Sequence, residues 1–186
     1  MILVVAATSE ELRGADGVAT LVCGVGPVEA AARTAAALAG QVPEAVLHVG
    51  IAGGRSFGEP VFVIGSEAVY CDADDPRWIE LRVPADPALV DAARSALPGA
   101  RFEPIGTSAR VGGSVSSESA GCEVEAMEGY AVLRAATLAG VPAVEVRVLS
   151  NAIGEPDRSK WRFAEAKDAL AIALPALIEE VTRAHA

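Results

Sequence analysis

The sequence predicts an α/β fold: a three-layer α/β/α sandwich around a mostly parallel, twisted central sheet. Three observations carry this. Apolar strand-like runs alternate with helix-like segments along the chain. Several runs, such as Ile2–Ala6 and Ala45–Val49, are continuously apolar, as in strands covered on both faces. Each is closed by a glycine-rich or polar break. The 186 residues fit a single domain, 1–186, with no repeat, low-complexity tract or linker.

The elements follow in order. Ile2–Ala6 and Ala19–Cys23 read as the first two strands. Gly24-Val-Gly26-Pro27 breaks the chain and opens a helix, with Pro27 at a tolerated first-turn position. Val28, Ala31, Ala32, Ala35 and Leu38 would form its inner face. Ala45–Val49 is a third strand, ending in Gly50-Ile51-Ala52-Gly53-Gly54. Val61–Ile64 and Glu67–Tyr70 read as further strands. Pro87–Leu97 is a helix with Leu89, Val90, Ala93 and Leu97 inward. Weaker strand signals lie at Phe102–Ile105, Ala109–Val111 and Cys122–Glu125. A helix from about Glu128 to Ala139 stops at Gly140. The strand Ala143–Leu149 follows, and a last helix runs from about Phe163 to Ala184, bent at Pro175.

Composition removes several classes of function. Hydrophobic residues make up 52% of the chain, too many for disorder. The formal charge is −10, from 15 basic and 25 acidic residues, which disfavours nucleic acid or an anionic membrane as partner. A small anionic ligand held by local cations stays possible. Cys23, Cys71 and Cys122 show no metal-ligand spacing and read as buried reduced thiols, which fits a cytoplasmic setting. The run Ile2–Ala7 has no preceding basic region and is too short for a signal or a membrane span.

In open α/β sheets, ligands bind beyond the carboxyl ends of the strands. The glycine breaks after Cys23 and Val49, and Ser150-Asn151 after Leu149, should therefore meet at one edge. Gly24-Val-Gly26-Pro-Val-Glu29 is a poor dinucleotide fingerprint, because Glu29 replaces the third glycine. Glu10 and Glu11 suit the first turn of a helix, where the dipole favours acids. Arg147 lies inside an apolar run, a costly place without a partner. A carboxylate near a helix start and an amide after a strand suit a sugar-and-base pocket.

The segment 125–154, with Glu125-Ala-Met127-Glu128-Gly129 and Ser150-Asn151, resembles the nucleoside phosphorylase/nucleosidase superfamily. There a Met-Glu pair grips ribose and an Asp or Asn after a strand handles the purine. The run Ser150-Asn151-Ala-Ile-Gly154-Glu-Pro-Asp157-Arg158-Ser-Lys-Trp161, with Thr8-Ser-Glu-Glu11, is most similar to the futalosine hydrolases, which release hypoxanthine from futalosine in menaquinone biosynthesis. Glu155-Pro156 departs from that family's usual Pro-Arg, and residues 12–18 are shorter than its usual connection.

The resemblance implies a nucleoside phosphorylase-like fold and specific roles. Glu11 would activate water, with Glu10 as fallback, and Arg147 would pair with Glu11. Met127 and Glu128 would hold the ribose. Ser150 and Asn151 would handle the base. Asp157, Arg158 and Trp161 would flank the base pocket. Gly53, in Ala52-Gly53-Gly54, would let the ligand approach the backbone, and Val111, within Gly106–Ser114, would form the other wall. An amide offers donor and acceptor, so Asn151 favours hypoxanthine or guanine over adenine. Arg55 is the one cation near the glycine loop, which favours water over phosphate as nucleophile. No metal or organic cofactor is implied. The partners expected are a purine nucleoside and further copies of the chain, as a homodimer or higher homo-oligomer. An adenine-specific nucleosidase, a purine nucleoside phosphorylase and a nucleoside-binding regulatory protein are the alternatives.

Overall fold

A computed structural model describes residues 1–73, 75–111 and 120–185. Gly112–Ser114 lie outside the described residues. The elements are β1 (Ile2–Ala6), a 3-10 turn (Ser9–Leu12), β2 (Ala19–Val22), α1 (Pro27–Gly40), β3 (Ala45–Gly54), β4 (Phe62–Tyr70), β5 (Arg82–Pro84), α2 (Pro87–Ala96), β6 (Arg101–Thr107), β7 (Val124–Ala126), α3 (Gly129–Leu138), β8 (Ala143–Ala152), a 3-10 turn (Arg158–Lys160) and α4 (Phe163–Ala184).

The predicted α/β fold is present, with helices on both faces of one sheet. Alternation along the strands explains the layers. Val4 and Ala6 of β1, Leu47 and Val49 of β3, and Val144, Val146 and Val148 of β8 face α2 and α4. Val5, Val46 and Ala143 face α1 and α3. On α4, Ala166, Leu170, Leu174, Leu177 and Val181 are buried at spacings of three and four, the stripe expected of a helix on a sheet.

Strands β2, β1, β3 and β8 are parallel. Beyond them the sheet curls. Strand β8 pairs antiparallel with β4, β4 parallel with β6, β6 parallel with β7, and β7 returns antiparallel to the end of β3. The ring β3-β8-β4-β6-β7 encloses Ala52, Val63, Ile105, Val124, Ala126 and Leu149.

Four expectations are corrected. Val61–Ile64 and Glu67–Tyr70 are one strand, with a bulge between Gly65 and Ala68 absorbing the break in pattern. Ala109–Val111 is not a strand: the Asp72 carboxylate accepts from the Ser108 hydroxyl at 2.8 Å and the Ala109 N–H at 2.6 Å, turning the chain out of the ladder. The inner face of α1 is Ala30, Thr34 and Leu38, and Val28 is 79% exposed. An alanine-rich helix carries too little hydrophobic contrast to fix its rotation. Strand β8 does not stop at Leu149 but runs through Ser150 and Asn151. All three cysteines are free and buried, as expected, and Cys71 packs against Cys122.

Candidate active site

The carboxyl ends of β1, β3 and β8 meet at one edge with the head of α3, around a cavity of ≈ 310 Å³. Glu11, Gly53, Val111, Met127, Glu128, Ser150 and Asn151 all line it. Arg147 does not; it lies behind the wall, fully buried.

Local structure sets each side chain. Glu11 is the third residue of the 3-10 turn Ser9–Leu12, which Thr8 caps, and its carboxylate reaches back over that turn. One oxygen accepts from the Thr8 N–H at 3.0 Å and the Thr8 hydroxyl at 2.8 Å. The other accepts from the Ile51 N–H at 3.1 Å. Glu11 is thereby 4% exposed, while Glu10 points outward into an ion pair with Lys167. Of the two, Glu11 is the one that lines the cavity.

Glu128 is the N-cap residue of α3. One of its oxygens accepts from the Gly26 N–H at 3.0 Å, and the other faces Arg147 at 3.4 Å. Gly26 sits at φ +92°, a conformation that favours glycine, so the Gly24-Val-Gly26 turn aims a backbone donor at this carboxylate. That turn has a definite task without being a dinucleotide site.

Asn151 owes its position to a bulge. Ala52 pairs with Leu149 but Gly53 pairs with Asn151, so Ser150 is the extra residue. The Ser150 hydroxyl lies within donating reach of both the Asn151 amide oxygen, at 2.8 Å, and the Ala52 carbonyl, at 3.2 Å. The Asn151 NH₂ donates to the Ala152 carbonyl at 3.0 Å. A Cβ on Gly53 would come within 3.1 Å of that amide nitrogen, so a bare backbone is what admits a ligand edge here.

Beneath these groups lies a buried charge network that the sequence reading saw only in part. Glu145 and Arg147 of β8 share a face with His48 and Gly50 of β3. Arg147 takes Glu145 at 2.7 Å and Glu128 at 3.4 Å as its ion partners, not Glu11. The expected Arg147–Glu11 pair is corrected: Thr8 and Ile51 satisfy Glu11, and Arg147 acts on it through the field alone. His48 Nδ1 contacts the Val5 carbonyl, and Nε2 makes a short contact with Arg147. A guanidinium only donates, so Nε2 must accept and Nδ1 carries the hydrogen. Burial, reinforced by the Arg147 charge, holds the His48 pKa well below its usual value. Burial alone would lower the Arg147 pKa, but Glu145, Glu128 and Glu11 together raise it. Burial, with Glu128 in support, pushes the nearby Cys23 thiol up to about 11, so it stays protonated.

Residues 7–184 match the family described as the phosphorylase superfamily. The chain is 35% identical to the futalosine hydrolase of Streptomyces coelicolor over 83% of its own length and 76% of that protein's. The chain belongs to the phosphorylase superfamily and, within it, to the futalosine hydrolase family. It is a nucleosidase, an N-glycosyl hydrolase. A second futalosine hydrolase, from Thermus thermophilus, is 33% identical, with 88% of this chain and 82% of that protein covered. Among solved structures, an S-adenosylhomocysteine nucleosidase from Streptococcus pyogenes in complex with 5-methylthiotubericidin superposes with a TM-score of 0.83 at 21% identity, covering 96% of this chain and 95% of that one. A futalosine hydrolase mutant of Helicobacter pylori gives 0.84 at 16% identity, over 96% and 98%. At these identities the structural likeness speaks to fold.

The outer part of the cavity is built differently from its floor. Arg110, Arg158, Lys167, Trp161 and Phe163 form its rim. The Arg158 guanidinium lies 5.7 Å from the Trp161 ring centroid, and Trp161 meets Phe163 edge to face at 5.1 Å. Asp157 does not line the cavity; its carboxylate caps the following 3-10 turn through Ser159. Arg55 donates to the Cys122 carbonyl at 3.1 Å and also lies off the cavity lining. Lys167 and Phe163 escaped the sequence reading, because only the packing of α4 brings its first turns to the cavity. Among the described residues, no group of three or more His, Cys, Asp and Glu could hold a metal ion.

Proposed function

We propose that this nucleosidase hydrolyses the N-glycosidic bond of futalosine, releasing hypoxanthine and dehypoxanthine futalosine, as a cytoplasmic step of menaquinone biosynthesis. One observation carries the reading: two buried carboxylates, Glu11 and Glu128, share a cavity with the Asn151 amide, each brought there by a different element. Glu128 accepts from the ribose hydroxyls and stabilises positive charge growing on the sugar. Met127 packs under the ring as an adaptable apolar wall. Asn151 donates to N7 or O6 of the leaving purine.

As the C1′–N bond breaks, its electron pair passes to the purine. Water adds to C1′ and Glu11 takes its proton; the departing purine takes a proton from solvent at a ring nitrogen, and Glu11 later returns its own proton to solvent. General-base help of this kind is worth ~10²–10⁴ in rate. Gly53 lets the ligand approach the backbone, and the rim leaves room for a large 5′ substituent. Val111 forms part of that outer wall. The enzyme would work as a homodimer or larger homo-oligomer.

The test is base release without phosphate from futalosine, 6-amino-6-deoxyfutalosine, methylthioadenosine and inosine, read by chromatography. Hypoxanthine from futalosine, with little adenine from the amino analogue, is expected. Adenine release at equal efficiency would remove the role given to Asn151. Release only on adding phosphate would make the protein a phosphorylase.

A further inference from the structure

Glu145 has no task in the reaction described above, yet it is fully buried directly behind it. One of its oxygens takes the Arg147 Nε at 2.7 Å; the other has no partner among the described residues. That second oxygen abuts Gly129, the first residue of α3. A Cβ there would fall inside the Glu145 carboxylate. Gly129 follows Glu128 directly, so the glycine of the Met127-Glu128-Gly129 motif is the space that Glu145 occupies. A Cβ on Gly50 would likewise collide with the Arg147 guanidinium and approach the Glu11 carboxylate to 2.8 Å. Two glycines, one on each side, thus admit a carboxylate and a guanidinium that a packed core would exclude.

We propose that Glu145 is a positioning residue for glycosidic hydrolysis: it anchors Arg147 and takes up most of its charge, leaving the Glu11 and Glu128 carboxylates free to accept from water and ribose. This rests on the nucleosidase reading of the site. The geometry ranks the partners, since Glu145 lies at 2.7 Å and Glu128 at 3.4 Å from the same guanidinium. His48 fixes the guanidinium from the other side as a neutral acceptor. The charged and titratable groups facing the cluster are Glu11 after β1, Cys23 after β2, His48 on β3, Glu128 at the head of α3 and Arg147 on β8. Strand β4 faces Glu145 with Gly65. Burial pushes the Glu145 carboxyl up and Arg147 draws it back.

Glu145→Gln keeps shape and a hydrogen-bond acceptor but removes the charge. The Arg147 charge then falls on Glu11 and Glu128 and stabilises their ionised forms. The acid limb of the pH profile of kcat/KM should move down by about one unit, with kcat on the plateau falling about tenfold as the base weakens. Gly129→Ala, which displaces the same carboxylate, should move the limb the same way. Glu145→Asp should restore much of the wild-type profile, and it carries the test if Glu145→Gln does not fold. A rate loss with the limb unmoved in every variant would mean that Glu145 only packs, and would overturn the proposal. If the wild type hydrolyses no purine nucleoside, the functional reading fails by itself. Carboxyl ¹³C titration of Glu11 and Glu128 then decides: lower titration points in Glu145→Gln support the proposal, and unchanged ones overturn it.

Discussion

The floor and the rim of this cavity hold charges in opposite ways. On the floor Glu11 and Glu128, and directly beneath it Glu145, Arg147 and His48, are all buried, and backbone donors or neighbouring side chains fix their positions. At the rim, Arg158 is exposed and Val111 is 54% exposed. A charge without water is expensive to leave unpaired and strong when it acts; a charge in water is neither. The floor therefore suits chemistry on a small, invariant part of the ligand. The rim suits recognition of a part that protrudes.

The comparison breaks most visibly if the floor loses its cation. Arg147→Met strands the Glu145 and Glu128 carboxylates and should destabilise the fold by about 3–5 kcal/mol, the usual effect of removing one partner from a buried ion cluster. Urea unfolding measures it; a loss below about 1 kcal/mol would mean that water already reaches the network. Glu11→Gln and Glu128→Gln should each lower kcat by ~10²–10⁴ with folding nearly intact. The double variant should fall short of the product of the two losses, because both act on one transition state.

Asn151→Asp tests direction rather than size. An ionised Asp cannot donate to O6 or N7 of a 6-oxopurine, but it accepts from a 6-amino group. The ratio of adenine to hypoxanthine release should rise by at least about tenfold, roughly one charge-assisted hydrogen bond. An unchanged ratio would place base selection elsewhere in the pocket.

The contrast also governs what was legible in the sequence. Strand ends gather at one edge by topology, so Gly53 and Asn151 were readable together from the chain alone, whereas Glu11 and Glu128 were singled out by the family resemblance. Alternation on β8 is equally readable, and it puts Glu145 on the face of Arg147. A buried Arg147 requires a partner, and it lies two residues away on the same strand face, not across the site at Glu11. His48 lies inside an apolar strand, yet alternation puts it on the face of Gly50 and so opposite the charged pair of β8. The signal there was a pair of polar residues at spacing two, facing a glycine at spacing two, on neighbouring parallel strands. Two other misses had no such signal. Strand β5 is three residues long, too short for any pattern. Lys167 and Phe163 belong to a helix whose own periodicity describes only its buried stripe, Ala166 to Val181.

The smallest effect belongs to the rim, and its size is the sharpest test of the contrast. Arg110, Arg158 and Lys167 gather at the cavity of a chain with formal charge −10, beside the aromatic pair Trp161 and Phe163. That combination favours a 5′ substituent that is both apolar and anionic. Arg158→Ala removes a cation that water already screens, so KM should rise only about two- to fivefold, within the range of an exposed ion pair. The kcat should not change, because the contact is equal in ground and transition states. Raising ionic strength should erase most of the difference between variant and wild type, since a Debye length near 8 Å at physiological salt shortens further. Glu11→Gln should keep its defect in the same salt. A salt-insensitive loss of kcat in Arg158→Ala would mean that the rim closes over the ligand during catalysis, and the division between floor and rim would fail.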